Sequence, residues 1–200
     1  TPAVSPPTER APVTETAEVP TPAAAPTQPP VFPCDIVFDS DRDANLEIYR
    51  MAPDGSGLVN LTNHPADDTE PVWSPDGTHI AFVSNRENES EGGLNIYVMR
   101  ADGSDVARIT NQNDSRYPDW SPSGNRIAFS SQGDIFIVDA SGEHETNLTN
   151  SPEEDSQPKI SPDGQQIAWL KGGENNRQLF VMDLDGQNAR QLTFEGPIFG

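Results

Sequence analysis

The sequence predicts an all-β protein of the β-propeller class, and three observations predict it. A twelve-residue segment recurs three times, and a strand-and-turn unit recurs four times in step with it. Between the turns the chain runs in short stretches rich in β-branched and aromatic residues, too short for helices. A repeat of about 40 residues with four short strands in each is the signature of propeller blades, each of which buries its faces only against its neighbours.

The first recurring element is Pro71-Val72-Trp73-Ser74-Pro75-Asp76-Gly77-Thr78-His79-Ile80-Ala81-Phe82. It returns at Pro118-Asp119-Trp120-Ser121-Pro122-Ser123-Gly124-Asn125-Arg126-Ile127-Ala128-Phe129 and at Pro158-Lys159-Ile160-Ser161-Pro162-Asp163-Gly164-Gln165-Gln166-Ile167-Ala168-Trp169, at spacings of 47 and 40 residues. Ser-Pro-Asp-Gly suits a type I turn, because Pro presets φ, Asp bonds back to the local backbone and Gly accepts the left-handed position. One strand is therefore predicted on either side of it, the two running antiparallel.

The second element comprises Ile48-Tyr49-Arg50-Met51, Ile96-Tyr97-Val98-Met99, Ile135-Phe136-Ile137-Val138 and Leu179-Phe180-Val181-Met182, each followed by a turn at Gly55, Gly103, Gly142 or Gly186. The third is Leu61-Thr62, Ile109-Thr110, Leu148-Thr149 and Leu192-Thr193. Together they give a four-stranded antiparallel meander per repeat. Strands are expected near 35–40, 46–51 and 58–61, then in three sets of four from Glu70 to Leu192, with Pro197-Ile198-Phe199 resembling another opening strand. Sixteen strands could close as four blades if that last strand joined the first sheet. However, the loop before Pro197 would hold three residues, 194–196, where its equivalents hold seven or eight. The preferred expectation is about four blades forming a portion of a six- to eight-bladed propeller.

The pattern Pro-x-Trp-Ser-Pro-Asp-Gly-x-x-Ile-Ala-Phe, followed by Ile-Tyr-x-Met-x-x-Asp-Gly and Leu-Thr, resembles the TolB-type, WD-repeat-like (PD40-type) propeller repeat across residues 35–200. Ser123, Ser141 and Ile160 depart from it, which bears on turns and packing. The resemblance implies a bacterial propeller over residues 34–200. It leaves function open, because such repeats serve scaffolds, receptors and accessory domains of enzymes.

Residues 1–33 are of a different kind. They hold 10 of the 20 prolines, six Thr and six Ala, with Phe32 the only aromatic. Such a stretch cannot bury enough apolar surface to offset chain entropy, so a disordered Pro-rich linker is expected. As polyproline II it would reach roughly 100 Å. Stalks of this composition resemble those that hold bacterial surface domains away from an anchor, so an extracytoplasmic position, periplasmic or at the cell surface, and an upstream membrane anchor are expectations. No apolar run approaches the ~18 residues of a spanning helix, so no membrane insertion is expected of this segment. The net charge of −20 disfavours nucleic acid and anionic lipid surfaces as partners.

His64, His79 and His144 fall at non-equivalent repeat positions without metal-ligand spacing. Cys34 is the only cysteine and has no cationic neighbour in sequence. Neither a Gly-x-Ser-x-Gly elbow nor a phosphate-cradling glycine loop occurs. Asp39-Ser40-Asp41-Arg42-Asp43-Ala44-Asn45-Leu46-Glu47 resembles a calcium loop in its alternating carboxylates, but Ala44 and Arg50 stand at the glycine and bidentate-Glu positions of an EF-hand. A polar turn with an Arg–carboxylate contact is expected there. The sequons at Asn60, Asn88, Asn113 and Asn147 include two that are the repeat's own Asn-Leu-Thr. Trp73, Trp120 and Trp169 occupy core-strand positions. The expectation is therefore a non-catalytic scaffold for protein or ligand binding at the bacterial envelope, with no catalytic, cofactor or metal residues assigned and the binding residues and partner left unassigned. The alternative is the propeller portion of a prolyl-oligopeptidase-like peptidase whose catalytic domain lies outside this chain.

Overall fold

The computed structural model describes residues 34–87, 93–173 and 175–194. All regular structure among them is β-strand, so none of the described residues form a helix long and apolar enough to cross a membrane. The expected linker, the Asn88 sequon and the Pro197–Phe199 strand lie outside the described residues.

Among the described residues fifteen strands form four antiparallel meanders. Blade one contains β1 (Ile36–Ser40), β2 (Glu47–Met51) and β3 (Val59–Asn60). Blade two contains β4 (Asp68–Trp73), β5 (His79–Ser84), β6 (Asn95–Arg100) and β7 (Ala107–Arg108). Blade three contains β8 (Ser115–Trp120), β9 (Arg126–Ser131), β10 (Asp134–Asp139) and β11 (Thr146–Asn147). Blade four contains β12 (Asp155–Ile160), β13 (Gln166–Lys171), β14 (Gln178–Asp183) and β15 (Arg190–Gln191). The register makes β1 the counterpart of β5, so blade one lacks a counterpart of β4 among the described residues.

Each recurring motif has a mechanical reason. In the Ser-Pro-Asp-Gly turn the Gly77 amide donates to the Ser74 carbonyl at 2.9 Å, and the Ser74 hydroxyl accepts from the His79 amide at 2.9 Å. The Asp76 carboxylate accepts from the Ser74 hydroxyl at 2.6 Å and the Thr78 amide at 3.1 Å. Where blade three has Ser123 instead of Asp, the Asn125 side-chain oxygen accepts from both Ser121 and Ser123 hydroxyls, at 3.1 and 2.5 Å. The threonine of Leu-Thr is a clamp: Thr62, Thr110, Thr149 and Thr193 accept the amides of Ile48, Ile96, Ile135 and Leu179 at 2.9 to 3.0 Å. In the two Asn-Leu-Thr sequons, Asn60 and Asn147 cap the same turn by accepting the amides of Thr62 and Thr149.

The core lies between blades rather than within them. Ile48, Leu61, Ile80, Phe82, Tyr97 and Met99 join blades one and two; Ala81, Val83, Ile96 and Ile109 meet Trp120, Phe129 and Phe136 between two and three; Ile135 and Ile137 meet Trp169 and Met182 between three and four. Trp73 and Trp120 also donate their indole N–H across the blade boundary, to the carbonyls of Asp35 (3.0 Å) and Val72 (3.3 Å). With Ile160 in that place, blade four uses a carboxylate: Asp119 accepts from the Ile160 amide at 2.7 Å and from Lys159 at 2.9 Å. Within each blade one aromatic pair meets across the central strands, with centroids 5.5 to 5.9 Å apart: Phe38–Tyr49, Phe82–Tyr97 and Phe129–Phe136 stack, and Trp169–Phe180 is tilted.

Candidate functional site

Strands β4, β8 and β12 open their blades, and they pack beside one another at the inner side of the array. Each is interrupted by a bulge at the residue preceding the recurrent proline. Those residues are Glu70, Tyr117 and Gln157, with φ of 53°, 55° and 54°. A left-handed conformation costs a non-glycine residue about 1–3 kcal/mol, and a following proline restricts its backbone further. The same strain at three equivalent positions is sustained by the flanking ladder. Its effect is to present three chemically different side chains from one geometric position.

Two clefts adjoin these bulges and share Tyr117. One, of about 210 Å³, is lined by Glu70, Pro71, Val72, Tyr117, Pro118, Gln157 and Lys159. The Glu70 carboxylate accepts the Tyr117 amide at 2.6 Å, which ties blade two to blade three. Burial pushes its carboxyl above the usual range, against the pull of that amide and of Arg116. The second cleft, of about 200 Å³, lies between blades three and four, where Asp114, Arg116, Glu154, Asp155 and Ser156 face the tight Gln132-Gly133 turn. Asp155 and Ser156 are 1% and 6% exposed, and Asp155 Oδ2 and Ser156 Oγ have no hydrogen-bond partner. Desolvation pushes the Asp155 carboxyl up, against the pull of Trp169, which donates its indole N–H to Oδ1 at 2.9 Å, of the nearby Thr149 hydroxyl and of Lys171. A buried polar atom without a partner is a place where a ligand atom or a water has something to gain.

The residues weighed from sequence are not brought together. His64 accepts the Ala66 amide through Nδ1, His79 meets Thr78, and His144 pairs with Asp139 at 2.7 Å on an exposed edge. Cys34 is exposed at the start of the described chain. No group of three or more His, Cys, Asp or Glu among the described residues is placed to hold a metal ion. In the acidic hairpin the carboxylates are occupied locally: Asp43 accepts the Tyr49 phenol, and Glu47 accepts Thr62 and the His64 amide. Burial and Asp43 push the Tyr49 phenol up to about 12. Arg42 does not make the expected carboxylate contact; it donates to Ser40 and lies over the Phe38 and Tyr49 rings. Sequence reasoning missed Glu70, Tyr117 and Gln157. The signal was a variable residue inside an otherwise constant repeat: Glu, Tyr and Gln before the same Pro.

A serial array of antiparallel meanders, one of three described strands and three of four, defines a repeat β-propeller. The chain belongs to the TolB beta propeller (PD40) family, whose model matches residues 12–134, a span that begins inside the Pro-rich segment. The model of the Tricorn protease N-terminal beta propeller domain matches residues 116–197. A protein TolB homolog of the bacterium Chlorobium luteolum is 33% identical over 161 residues, 80% of this chain and 36% of that protein. The chain thus spans about a third of the length of that relative. A putative TolB from Agrobacterium tumefaciens shares the fold with a TM-score of 0.70 and 24% identity, over 82% of this chain and 63% of that one. A prolyl endopeptidase shares it with a TM-score of 0.63 and 11% identity, over 84% of this chain and 29% of that one.

Proposed function

We propose that these blades serve a non-catalytic scaffold at the bacterial cell envelope, outside the cytoplasm, which holds a protein or small-ligand partner on the clefts of the inner strands. The observation that carries this reading is the repeated bulge. Strain at Glu70, Tyr117 and Gln157 recurs although it costs stability, and it delivers three unlike side chains to one surface. Strain of this kind concentrates at ligand clamps. The bacterial relatives named TolB support an envelope setting, and residues 1–33 suit a spacer between the propeller and an anchor. The test is a photo-cross-linking amino acid at position 117 of the complete native polypeptide, with position 78 on the Ser-Pro-Asp-Gly turn as control. A discrete adduct from 117 and none from 78 supports the reading; equal adducts or none from either position refute it.

The match to a protease propeller and the likeness to a prolyl endopeptidase favour a second reading, the propeller portion of a larger peptidase. Labelling of the complete native polypeptide by a fluorophosphonate, abolished by boiling, would support it. An unlabelled polypeptide would count against a serine peptidase.

A further inference from the structure

Blades one and two carry the same five-residue signature at the β1–β2 and β5–β6 hairpins: Phe38-Asp39-Ser40-Asp41-Arg42 and Phe82-Val83-Ser84-Asn85-Arg86. In both, the arginine Nε donates to the serine hydroxyl, at 3.2 and 3.0 Å, and the guanidinium lies over the stacked aromatic pair. Arg42 is 5.4 and 4.5 Å from the Phe38 and Tyr49 centroids; Arg86 is 5.1 and 4.9 Å from those of Phe82 and Tyr97. Arg86 also grips the fully buried Asp68 carboxylate with contacts of 2.8 and 3.0 Å. The chain thus supplies its own guanidinium to the acidic start of an inner strand.

Blades three and four break this rule. The register aligns Phe129 and Trp169 with Phe38 and Phe82, so Gly133 and Gly173 stand where the arginines were. In blade three the hairpin is cut to the two-residue turn Gln132-Gly133, and the cleft of about 200 Å³ opens beside it. Across that cleft Asp155 holds the place in blade four that Asp68 holds in blade two: Asp68 pairs with Ser84 at the strand start, and Asp155 with Lys171. Asp155 has no arginine. Lys171 lies over the Phe180 ring at 5.8 Å and pairs with Oδ1 at 3.9 Å, but its ammonium is shared with Ser151 at 2.5 Å and Glu153 at 3.5 Å and does not reach Oδ2. The remaining charges at the cleft are Asp114, Glu154 and Arg116, and Arg116 is already paired with Asp114 at 2.9 Å. The cleft is left with surplus negative charge, and Asp155 Oδ2 and Ser156 Oγ are left without partners.

We propose that the cleft between blades three and four binds an arginine side chain of a protein partner, which supplies at Asp155 and Glu154 the guanidinium that Arg86 supplies at Asp68. A planar fork of donors suits two carboxylates and a serine oxygen better than a point charge does. The inference rests on the scaffold reading and names the chemistry of the partner. Its test uses N-acetyl-argininamide as probe and N-acetyl-citrullinamide, of like shape without the charge, as control, followed by amide chemical shifts of the full chain. Saturable shifts at Gly133 and Ser156 are expected with the arginine probe and not with the citrulline one. Glu154→Gln should weaken binding about two- to fivefold, as for an exposed ion pair. Asp155→Asn, which retains an acceptor for Trp169, should weaken it roughly tenfold or more. Absence of saturable shifts, equal shifts with both probes, or unchanged binding in both variants overturns the proposal. If the position 117 adduct persists alongside such a failure, the arginine chemistry is lost and the scaffold reading stands; if the adduct fails as well, both are lost.

Discussion

Replacing Gly103 with alanine should unstitch blade two from blade one, and replacing Gly55 should not. Both glycines lie in the turn between the last two strands of their blades, with φ of 87° and 84°. For alanine that conformation costs about 1–2 kcal/mol at either position. At Gly55 nothing lies within 4 Å of an added Cβ, so the backbone term is the whole effect. At Gly103 the same atom would sit 2.7 Å from the Leu61 carbonyl oxygen and 3.3 Å from the Leu61 Cα, both backbone atoms of the preceding blade. The turn or the blade must move, and forcing extra volume into a packed contact costs about 1–3 kcal/mol more. Gly103→Ala is therefore expected to lose about 2–5 kcal/mol and Gly55→Ala about 1–2. At about 2–4 °C per kcal/mol for a domain of this size, the Tm values should differ by roughly 5 °C. Urea and thermal unfolding followed by tryptophan fluorescence would measure this, because Trp73 spans the boundary through its bond to Asp35. Equal losses in the two variants would refute a blade contact built on close backbone approach.

Further outcomes follow from individual sites. Arg86→Met leaves the buried Asp68 carboxylate without its partner and should cost about 3–5 kcal/mol, with Arg86→Met/Asp68→Asn recovering part of it in the same unfolding assay. His144 has a raised pKa because its ring is hydrogen-bonded to Asp139, so its stabilising contribution is full below about pH 6.5 and fades as pH rises through the folded value. An NMR titration should place its midpoint above the ordinary one, and Asp139→Asn should bring it back. The carboxyl of Asp76 is held below the usual range by the Ser74 hydroxyl, so its contribution is full above the ordinary carboxylate value and is lost as pH falls through the lowered one; Ser74→Ala should shrink that acid-side loss in unfolding measured against pH. Gln157→Gly removes a left-handed non-glycine residue and should raise stability by about 0.5–1 kcal/mol, provided the bulge persists. A loss of stability there would show that the Gln157 side chain holds the bulge in place.

Much of the blade was legible because its causes are local. Ser74-Pro75-Asp76-Gly77 closes a turn with its own side chains, and the spacing of Ile-Tyr, Asp-Gly and Leu-Thr gave strand order and antiparallel pairing to within a residue or two. The repeats also disclosed that the tryptophans belong to the packing, and Trp73 and Trp120 make the same bond across their boundaries. Asn125 replacing the missing Asp in blade three was less visible, since it depends on two side chains meeting across the turn.

The candidate site escaped the sequence for a physical reason. Binding to a partner requires positions that differ from blade to blade, and a search for periodicity passes over the positions that do not repeat. Glu70, Tyr117 and Gln157 stand beside invariant prolines, and only the bulge that rotates them to positive φ brings them to a common surface. Gly173, which stands in blade four where Arg86 stands in blade two, is likewise unremarkable until the register sets Asp155 in the place of Asp68 and the short Gln132-Gly133 turn leaves room beside it. By itself the sequence determined the blade, its turns and its serial repetition, because these arise from residues within about 15 positions of one another. The tertiary structure alone decided which glycines touch a neighbouring backbone, where the clefts open and which buried carboxylate oxygen lacks a hydrogen-bond donor. Contacts such as those of Gly103 with Leu61 and of Asp155 with Gly133 join residues distant in the chain, whose meeting depends on how one blade stacks upon the next.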